Sequence, residues 1–559
     1  MKIRHIVAVA LLSLLFPAKS ALAQLSFPAS ATTSYKTGSV DTSSGITPCP
    51  VPAAKTCLTL STPSSIAVGD FNNDGKLDLA VINQVPVKVG SEFKFYLSVL
   101  LGNGDGTFSD TPILTETGGG TPCPSNANLA TCDRGVVGLA GDFNEDGKDD
   151  LVVIYFGNPT GSGGPVTNGK VGLFLSNGDG TFAAPTFTTV GLGAINGAVG
   201  QLTSSGHLDV VVVNREDTPN GSISVLLGNG GGGLSVANCD GATTTANTCE
   251  VGKKPSAVAI GQFDADGVAD LAVTSLTDSK VTLLKGDGVH PGQFAPFPTP
   301  TAEVTLQSIQ IIADDFNRDG KTDLAVLNQQ TKTVSMLFGN GDGTFTELSK
   351  KTLLLGKTPV GMVAADFDGD GTLDLAFVFF PGKLAGVFAG RGDGTFSNKP
   401  EQLKVPGTST GNFALAAFNV NRDPAPPDNP PPPCSIVGAE CHLAFANGTI
   451  VVFENQTPFP TSVTVTVTSP NGGETFAVGS TQTITWDTAL VPPDFPFGNA
   501  EISLSTDSGA TFKTIKTTPN TGTFLWKVPK SLTTTGRIRV CSANYPGLCD
   551  MSNADFTIQ

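Results

Sequence analysis

One short motif, rich in aspartate, asparagine and glycine, recurs along most of this 559-residue chain. Its clearest copy is GDFNNDGKLDLAVIN, which begins at Gly69. Counted from the residue after that glycine, seven copies start at residues 70, 142, 201, 262, 315, 366 and 417, and those at 201 and 417 are degenerate. The last three intervals are 53, 51 and 51 residues. A period of this length predicts a repeat architecture with one small supersecondary unit per repeat.

A second motif follows the first within the units. It reads GNGDGTF or a variant of it, and its copies end at Phe108, Phe182, Leu234, Phe294, Phe345 and Phe396. Asn-Gly and Asp-Gly between apolar runs favour tight hairpin turns, because Gly tolerates the positive φ that these turns require. The apolar run after the first motif, LAVIN in the first unit, is typical of a strand covered on both faces. Each unit is therefore predicted to be a four-stranded sheet, and such units repeated radially form a β-propeller.

The seventh unit ends at GTIVVFENQTP and has no GTF strand of its own. Near the start of the chain, LSFPASATTSYKTGS offers Phe27 as a match for the phenylalanine that begins the fourth strand elsewhere. We therefore expect residues 25–38 to supply the outer strand of the seventh sheet. This pairing would join the two ends of the ring and remove an exposed edge.

Residues 1–23 predict a signal peptide, because Lys2 and Arg4 precede a short apolar run and Ala21, Leu22 and Ala23 form a cleavage site. The run is too short to span a membrane, and no later apolar stretch is long enough, so no transmembrane segment is predicted. We expect a secreted or extracytoplasmic protein, a location compatible with attachment to the cell surface.

The ten cysteines fall into five close pairs, which are Cys49/Cys57, Cys123/Cys132, Cys239/Cys249, Cys434/Cys441 and Cys541/Cys549. This spacing predicts five local disulfides formed in an oxidising compartment. Zinc binding would need CxxC-like spacing or histidine partners, which the pairs lack. Three of the pairs fall in the longest connections between units, so each of these three disulfides is expected to close an inserted loop.

The first motif also carries a metal-binding pattern. In five copies an oxygen-bearing side chain stands at positions 1, 3, 5 and 9, and position 6 is always glycine. Position 7 varies freely, as expected of a residue that offers only its backbone carbonyl. The predicted ligands are Asp70, Asn72, Asp74, Lys76 and Asp78; Asp142, Asn144, Asp146, Lys148 and Asp150; Gln262, Asp264, Asp266, Val268 and Asp270; Asp315, Asn317, Asp319, Lys321 and Asp323; and Asp366, Asp368, Asp370, Thr372 and Asp374.

Charge favours calcium in these loops. Four of them carry three ligand carboxylates and the last carries four, 16 in all, and the formal net charge of the chain is −16. Packing so many carboxylates into single turns without a cation would be strongly unfavourable. We therefore expect about five structural Ca²⁺ ions. Turn chemistry without a metal is the alternative, and it explains one such loop more readily than five.

Two units are expected to bind metal poorly. The third has Gln201, Thr203, Ser205 and Asp209 at the four positions, and the seventh has also lost its carboxylates. The spacing of the two motifs resembles the FG-GAP/VCBS repeat family, whose best-known members are the seven-bladed heads of integrin α subunits. The resemblance covers roughly residues 25–457 and rests on DFNxDGxxDLAV and GNGDGTF. It implies that the loops lie in hairpins on one face of the disc and that their calcium is mainly structural.

The C-terminal part has a different composition. Segments such as VTVTVTS and AEISLS alternate with period two, and seven short strands over this length predict an immunoglobulin-like sandwich. SPNGGE, SxDxGxxF and WxVP resemble bacterial Ig-like modules that are similar to a domain of yeast cell-wall synthesis proteins. Trp486 and Trp526 are expected in its core, with carbohydrate contact as the alternative. The predicted fold is all-β: a seven-bladed β-propeller at residues 24–457, followed by an Ig-like β-sandwich at residues 458–559.

Three functions compete for this fold: a binding scaffold, a polysaccharide lyase or hydrolase, and a lectin. The four histidines (His5, His207, His290 and His442) are scattered, and no GxSxG or HExxH motif occurs, so no catalytic residue is predicted. The predicted propeller has no tryptophan and three tyrosines (Tyr35, Tyr96 and Tyr155), which disfavours sugar stacking. The sequence pI of about 4.6 disfavours nucleic acid.

We therefore favour an exported, calcium-stabilised, monomeric scaffold that binds or adheres to an extracellular protein or glycan. The enzyme and the lectin remain the alternatives. Loops 84–96, 155–170 and 423–442 are candidate contact surfaces. The last includes the proline-rich run DPAPPDNPPPP (residues 423–433), which is expected to be a stiff spacer, with a role as a partner's ligand as the alternative.

Overall fold

A computed structural model of the chain is all-β, and the residues that it describes contain no helix. The described residues are 33–36, 39–41, 47–48, 57–59, 63–83, 87–89, 92–105, 107–109, 111–118, 123–124, 134–157, 167–217, 220–239, 248–305, 307–347, 353–367, 372–380, 384–397, 399–404, 414–419, 441–446, 449–453, 462–491, 499–509, 512–542 and 549–559. The predicted signal peptide lies outside them. In these residues there is also no helix long and apolar enough to cross a bilayer.

The chain begins with four short strands: β1 (Thr33–Lys36), β2 (Ser39–Asp41), β3 (Thr47–Pro48) and β4 (Cys57–Thr59). Strands β2, β3 and β4 form a small antiparallel sheet. Sheet 1 follows, with β5 (Pro63–Gly69), β6 (Asp78–Asn83), β9 (Tyr96–Leu100) and β10 (Ile113–Glu116). Its insertions form a second small sheet from β7 (Val87–Val89), β8 (Glu92–Lys94) and β11 (Cys123–Pro124).

Sheets 2 to 4 repeat the same order of strands. Sheet 2 contains β12 (Gly135–Gly141), β13 (Asp150–Tyr155), β14 (Asn168–Phe174) and β15 (Thr186–Leu192). Sheet 3 contains β16 (Ala194–Gly200), β17 (Asp209–Asn214), β18 (Gly221–Gly228) and β19 (Leu234–Val236), with β20 (Cys249–Gly252) also paired to β18. Sheet 4 contains β21 (Pro255–Gly261), β22 (Asp270–Ser275), β23 (Lys280–Gly286) and β24 (Phe294–Glu303).

Sheets 5 to 7 complete the series. Sheet 5 contains β25 (Ser308–Asp314), β26 (Asp323–Asn328), β27 (Thr333–Gly339) and β28 (Phe345–Glu347), with β29 (Leu353–Leu354) also paired to β27. Sheet 6 contains β30 (Pro359–Ala365), β31 (Asp374–Phe379), β32 (Leu384–Phe388) and β33 (Glu401–Lys404). Sheet 7 contains β34 (Ala414–Asn419), β35 (Cys441–Ala446) and β36 (Thr449–Phe453), and its fourth strand is β1.

The N-terminal strand completes the last sheet, as the sequence predicts. Strand β1 pairs antiparallel with β36, with Ser34 opposite Val451 and Lys36 opposite Thr449. Phe27, on which the prediction was aligned, lies outside the described residues. The pairing covers an edge of β36 that would otherwise leave backbone donors and acceptors free.

Neighbouring sheets share their cores. Second strands such as β6 are buried along their whole length, because apolar side chains leave both faces of the strand. In the described residues, seven hydrophobic clusters each join two sheets that are adjacent in chain order, including sheets 7 and 1. The first strands β5, β12, β16, β21, β25, β30 and β34 contact one another in the same order, and β34 contacts β5.

The C-terminal residues form two sheets. One contains β37 (Ser462–Ser469), β39 (Thr481–Val491) and β42 (Thr523–Lys527). The other contains β38 (Thr475–Phe476), β40 (Asn499–Ser505), β41 (Lys513–Pro519), β43 (Thr533–Ser542), β44 (Cys549–Met551) and β45 (Phe556–Ile558). The described part thus holds two more strands than the seven expected, because the short strands β38 and β44 extend the second sheet.

One hydrophobic cluster takes side chains from both C-terminal sheets. Trp486 and Trp526 come from one sheet, and Ile502 and Val540 from the other. The two tryptophans are only 2% and 1% exposed, so their predicted place in the core is confirmed and they offer no surface to a sugar.

The cysteine pairing is confirmed where the structure describes it. Cys239 and Cys249 form a disulfide. Cys541 is disulfide-bonded and lies opposite Cys549 in the pairing of β43 with β44. Each of the other predicted pairs, Cys49/Cys57, Cys123/Cys132 and Cys434/Cys441, has at least one member outside the described residues.

Candidate functional site

In sheets 1 to 6 the acidic motif forms the connection between the first and second strands. We name these connections by their sheet: acidic loop 1 (residues 70–78), loop 2 (142–150), loop 3 (201–209), loop 4 (262–270), loop 5 (315–323) and loop 6 (366–374). The GNGDGTF motif connects the third and fourth strands. In an antiparallel sheet these two connections lie at the same end, so the two motifs meet at one edge of each sheet.

Acidic loop 1 is organised by its own side chains. The Asp70 carboxylate accepts hydrogen bonds from the backbone N–H groups of Asp74 (3.1 Å) and Gly75 (2.9 Å). Asn72 Oδ1 accepts the N–H of Asp74 at 3.0 Å, and Asp74 Oδ1 accepts the N–H of Lys76 at 3.0 Å. Gly75 has φ +84°, which explains why position 6 is glycine.

The same bonds recur in two further loops. Asp142 accepts the N–H groups of Asp146 (3.1 Å) and Gly147 (3.0 Å). Asp315 accepts those of Asp319 (3.1 Å) and Gly320 (2.7 Å). Position 1 therefore has the same structural role in loops 1, 2 and 5. In loop 6, Asp366 is buried, whereas the predicted ligands Asp368 and Asp370 lie outside the described residues.

The aspartate at position 9 has a role that sequence reasoning missed. The two carboxylate oxygens of Asp78 accept the backbone N–H groups of Phe71 (3.0 Å) and Gly102 (2.8 Å). These bonds tie the acidic loop to the end of the third strand. They recur at Asp150, Asp209, Asp270, Asp323 and Asp374, all fully buried.

In loop 3 the aspartate at position 9 has the same hydrogen-bonding role, although the loop lacks the metal-binding pattern. Asp209 keeps both backbone bonds, to Leu202 (2.9 Å) and Gly228 (2.9 Å). The other three positions of the loop hold no carboxylate, and Thr203 and Ser205 contact each other at 2.8 Å. An aspartate at position 9 is therefore explained by backbone hydrogen bonding even where the metal pattern is lost.

Burial has an electrostatic cost at position 9. Burial, together with the charges of Asp70 and Asp74, raises the pKa of Asp78 to about 7. In loop 5 burial, with the charges of Asp315 and Asp319, raises the pKa of Asp323 to about 8. A cation in these loops would oppose this repulsion between carboxylates.

The donor chemistry of loops 1, 2 and 5 fits calcium, which prefers carboxylate, amide and carbonyl oxygens. No group of three or more His, Cys, Asp or Glu side chains within the described residues is arranged as a metal site. The bonds above supply the physical reason, because position 9 turns its carboxylate towards backbone N–H groups. Asn72 and the carbonyl of Lys76 would have to contribute alongside Asp70 and Asp74.

Acidic loop 4 differs from the others. Gln262 at position 1 is exposed, and the Lys285 ammonium forms ion pairs with Asp264 and, at 2.7 Å, with Asp266. Asp264 and Asp266 raise the pKa of Lys285. The loop pattern did not predict a role for Lys285, which lies on β23 outside the loop.

The two motifs are joined between neighbouring sheets. The Phe71 carbonyl in loop 1 accepts the N–H of Gly180 (3.2 Å) and the hydroxyl of Ser176 (2.7 Å) in sheet 2. The Phe71 ring packs edge-on against Phe182, with centroids 5.5 Å apart. We call this contact the inter-sheet clamp.

The clamp recurs around the series of sheets. Its backbone bond joins Phe143 to Gly232, Phe263 to Gly343 and Phe316 to Gly394 at 2.8–3.2 Å. Its ring pair recurs as Phe263 with Phe345 and Phe316 with Phe396. The presence of both motifs in the same units was the sequence signal that could have suggested it.

The other candidate residues do not converge on a site. His207 Nδ1 lies 2.6 Å from Glu145 and His290 Nδ1 lies 2.7 Å from Asp287, in two separate surface pairs. Tyr96 and Tyr155 are fully buried. Of the candidate contact loops, 84–96 contributes the paired strands β7 and β8, whereas residues 158–166 and 423–440 lie outside the described residues.

Comparison with known proteins identifies the repeats. An FG-GAP-like repeat model matches residues 142–212, 262–326 and 315–377, and an FG-GAP repeat model matches residues 62–90. The chain therefore contains FG-GAP repeats, as its motifs indicated. These matches do not address the C-terminal module. The search of curated proteins found no match.

Two solved structures have a distant likeness to this chain. Two crystal structures of BBS1N in complex with ARL6DN, one soaked with lead and one with mercury, are 11% and 12% identical to this chain. They align with TM-scores of 0.40 and 0.41, over 72% and 71% of this chain and 94% of the other. Scores this low carry no argument about function.

Proposed function

We propose that this chain is an exported, calcium-stabilised scaffold that binds an extracellular protein partner through a seven-bladed β-propeller followed by an Ig-like module. The observation that carries the proposal is the repeated edge structure of its FG-GAP repeats, in which an acidic loop and a hairpin turn are joined from sheet to sheet. FG-GAP repeats point to a β-propeller scaffold. Repeated units of this kind present many loops on a rigid frame, which suits them to recognition.

The arrangement of sheets supports seven blades. First strands contact one another in a series that returns from β34 to β5. The second support is the N-terminal strand, which completes sheet 7. Both features are those of a ring without an open edge. In the C-terminal part, two sheets that share one core support an Ig-like sandwich.

Electrostatics supports calcium. Loop 1 gathers Asp70, Asp74 and the buried Asp78, and burial together with repulsion from the other two carboxylates raises the pKa of Asp78. A divalent ion held by loop oxygens would offset this repulsion. The ion would stabilise this edge of the sheet, because it would bind the same side chains that already fold the loop by accepting its backbone N–H groups.

A protein is the partner that the described surface favours. The Tyr and Trp side chains that the structure describes are buried, so they provide no stacking platform for a sugar. The described residues also form two small three-stranded sheets in the connections around sheet 1, one from β2, β3 and β4 and one from β7, β8 and β11. Such additions diversify the surface without disturbing the repeated core.

Calcium dependence tests the first half of the proposal. The protein is melted in EDTA and again with millimolar calcium, with magnesium as the control ion. We expect calcium, and not magnesium, to raise the melting temperature, because an ion held only by the native state stabilises it. An unchanged melting temperature would refute calcium stabilisation.

Partner capture tests the second half. The calcium-loaded protein is immobilised and exposed to solubilised surface proteins and to a glycan array, and the C-terminal module (residues 458–559) serves as the control bait. We expect a protein captured by the full chain and released by EDTA. Binding to glycans alone, or turnover of a polysaccharide, would replace the scaffold with a lectin or an enzyme.

A further inference from the structure

We propose that Lys285 takes the place of the metal ion in acidic loop 4, so that this loop holds no calcium while loops 1, 2, 5 and 6 each bind one ion. The inference deepens the proposed function and rests on it for the calcium of the other loops. With this inference the expected number of calcium ions becomes four, whereas the sequence pattern predicts about five.

The contact itself is the first observation. The Lys285 ammonium is paired with the carboxylates at positions 3 and 5 of loop 4, Asp264 and Asp266. In the calcium pattern these two positions supply ligand oxygens. An ammonium group has three N–H donors and a full positive charge, so it can satisfy two carboxylates at once. A calcium ion would have to displace it.

The place of Lys285 in the chain is the second observation. It precedes Gly286, whose N–H bonds to the position-9 carboxylate of Asp270 at 3.0 Å. The residues at the same place in sheets 1 to 3, 5 and 6 are all apolar: Leu101, Leu175, Leu227, Phe338 and Ala389. Among these sheets lysine occurs there only in sheet 4, whose acidic loop lacks an aspartate at position 1 but keeps carboxylates at positions 3 and 5, unlike loop 3.

Position 1 is the third observation. Asp70 in loop 1 is 6% exposed and accepts two backbone N–H groups. Its counterpart in loop 4, Gln262, is neutral and exposed. Loop 4 has therefore lost the central carboxylate of the pattern and gained a lysine that neutralises two of the remaining ones.

Position 7 shows how the lysines differ. In loop 2 the ammonium of Lys148, at position 7, lies 2.6 Å from Asp146 at position 5. In loop 4 position 7 is Val268 and the cation arrives from strand β23 instead. Lys285 thus reaches across positions 3 and 5 from the side of the loop that faces the third strand.

Calcium counting tests the inference with a matched pair. Asp266→Asn in loop 4 and Asp146→Asn in loop 2 change the same position of the motif. Calcium bound per chain is measured by equilibrium dialysis at saturation. We expect four ions for the wild type, three for Asp146→Asn and still four for Asp266→Asn. A drop of one ion in Asp266→Asn would overturn the inference.

A gain of binding is the converse test. Gln262→Asp together with Lys285→Leu gives loop 4 the aspartate of loops 1, 2 and 5 and the leucine of sheets 1 to 3. We expect five bound ions for the double variant and four for Gln262→Asp alone. Four ions in the double variant would show that Lys285 does not exclude the metal, which contradicts the inference.

A melting experiment in EDTA separates this inference from the proposed function. Lys285→Leu should lower the melting temperature in EDTA by several degrees on the scale expected for a domain of this size, because loop 4 then has no cation. This measurement in EDTA tests the role of Lys285 independently of calcium. If no variant binds calcium, the proposed calcium sites are refuted, but the role of Lys285 is still tested. An unchanged melting temperature for Lys285→Leu in EDTA would overturn the role of Lys285.

Discussion

At the scale of single residues, the position-9 aspartates show how one residue type can serve two purposes. The sequence pattern predicts them as calcium ligands. In the structure their oxygens accept backbone N–H groups from the loop and from the third strand, as Asp78 does with Phe71 and Gly102. Asp209 keeps this role in a loop that has lost the metal pattern. Fixing the loop to the strand is therefore sufficient reason for an aspartate here.

Asp209 also allows a prediction about pH. Burial raises its pKa from 3.8 to about 6, so between these values the folded state holds a proton that the unfolded state has lost. The free energy of unfolding, relative to Asp209→Asn, should therefore fall as pH rises from 4 to 7, by on the order of 2–3 kcal/mol. Urea unfolding of both proteins across this range, in EDTA, measures it. A difference that stays constant with pH would contradict the raised pKa.

Gly394 in the GNGDGTF turn of sheet 6 gives a second prediction at this scale. It has φ +74°, and a Cβ there would lie 2.1 Å from Phe338 Cε1. Gly394→Ala should lower the free energy of unfolding by at least about 2 kcal/mol, through backbone strain and steric overlap. Gly361→Ala in the same sheet is the control, because its nearest neighbours would be 4.0 Å away. The control should change stability by less than about 1 kcal/mol, and equal losses would refute the argument.

At the scale of elements, the inter-sheet clamp explains why both motifs recur together. The acidic loop supplies a carbonyl and a phenylalanine ring, and the turn of the next sheet supplies an N–H and a second ring. Both the backbone bond and the contact between the rings of Phe71 and Phe182 cross from one sheet to the next. A unit that carries one motif therefore depends on a neighbour that carries the other.

The clamp predicts a coupling between distant residues. Phe71→Ala should cost about 3–5 kcal/mol, because the ring is fully buried. A double-mutant cycle of Phe71 and Phe182, measured by urea unfolding, should give a coupling energy of about 0.5–1.5 kcal/mol. The cycle of Phe71 with Phe345, which belongs to the clamp of sheets 4 and 5, is the control and should be additive. Additivity in the first cycle would show that the rings do not interact.

At the scale of the whole molecule, stability depends on joining the first strand of the chain to the last sheet. Each of sheets 1 to 6 takes its four main strands from one continuous stretch, whereas sheet 7 takes β1 from the N-terminus. The antiparallel pairing of β1 with β36 holds together residues more than 400 positions apart. The pairing covers a strand edge in the folded state, and this gain must exceed the entropy cost of closing so long a loop.

Removal of this strand should weaken the whole series of sheets. A variant that begins at residue 39 lacks β1, and a control that begins at residue 33 retains it. We expect the shorter protein to melt at a lower temperature and to self-associate in size-exclusion chromatography, because the edge of β36 is then exposed. Identical melting and elution of the two variants would show that β1 is dispensable.

The sequence alone was sufficient for features that are encoded locally. Turns need glycine and asparagine at fixed places, and buried strands need continuous apolar runs such as LAVIN. The four-stranded unit, the N-terminal fourth strand and the burial of Trp486 and Trp526 could therefore be predicted and are confirmed. The acidic loops were also correctly placed between first and second strands, because Asp, Asn and Gly fold such turns through their own side chains.

Only the tertiary structure decided where the side chains of those loops point. The carboxylate of Asp78 accepts an N–H group from another strand. The ring of Phe71 packs against a ring in another sheet. The carboxylates of Asp264 and Asp266 pair with Lys285 on β23. Strand register and the approach of neighbouring sheets bring these partners together. Spacing along the chain specifies which oxygens a loop carries, whereas the surrounding strands decide whether those oxygens bind a backbone N–H group, a lysine or a metal ion.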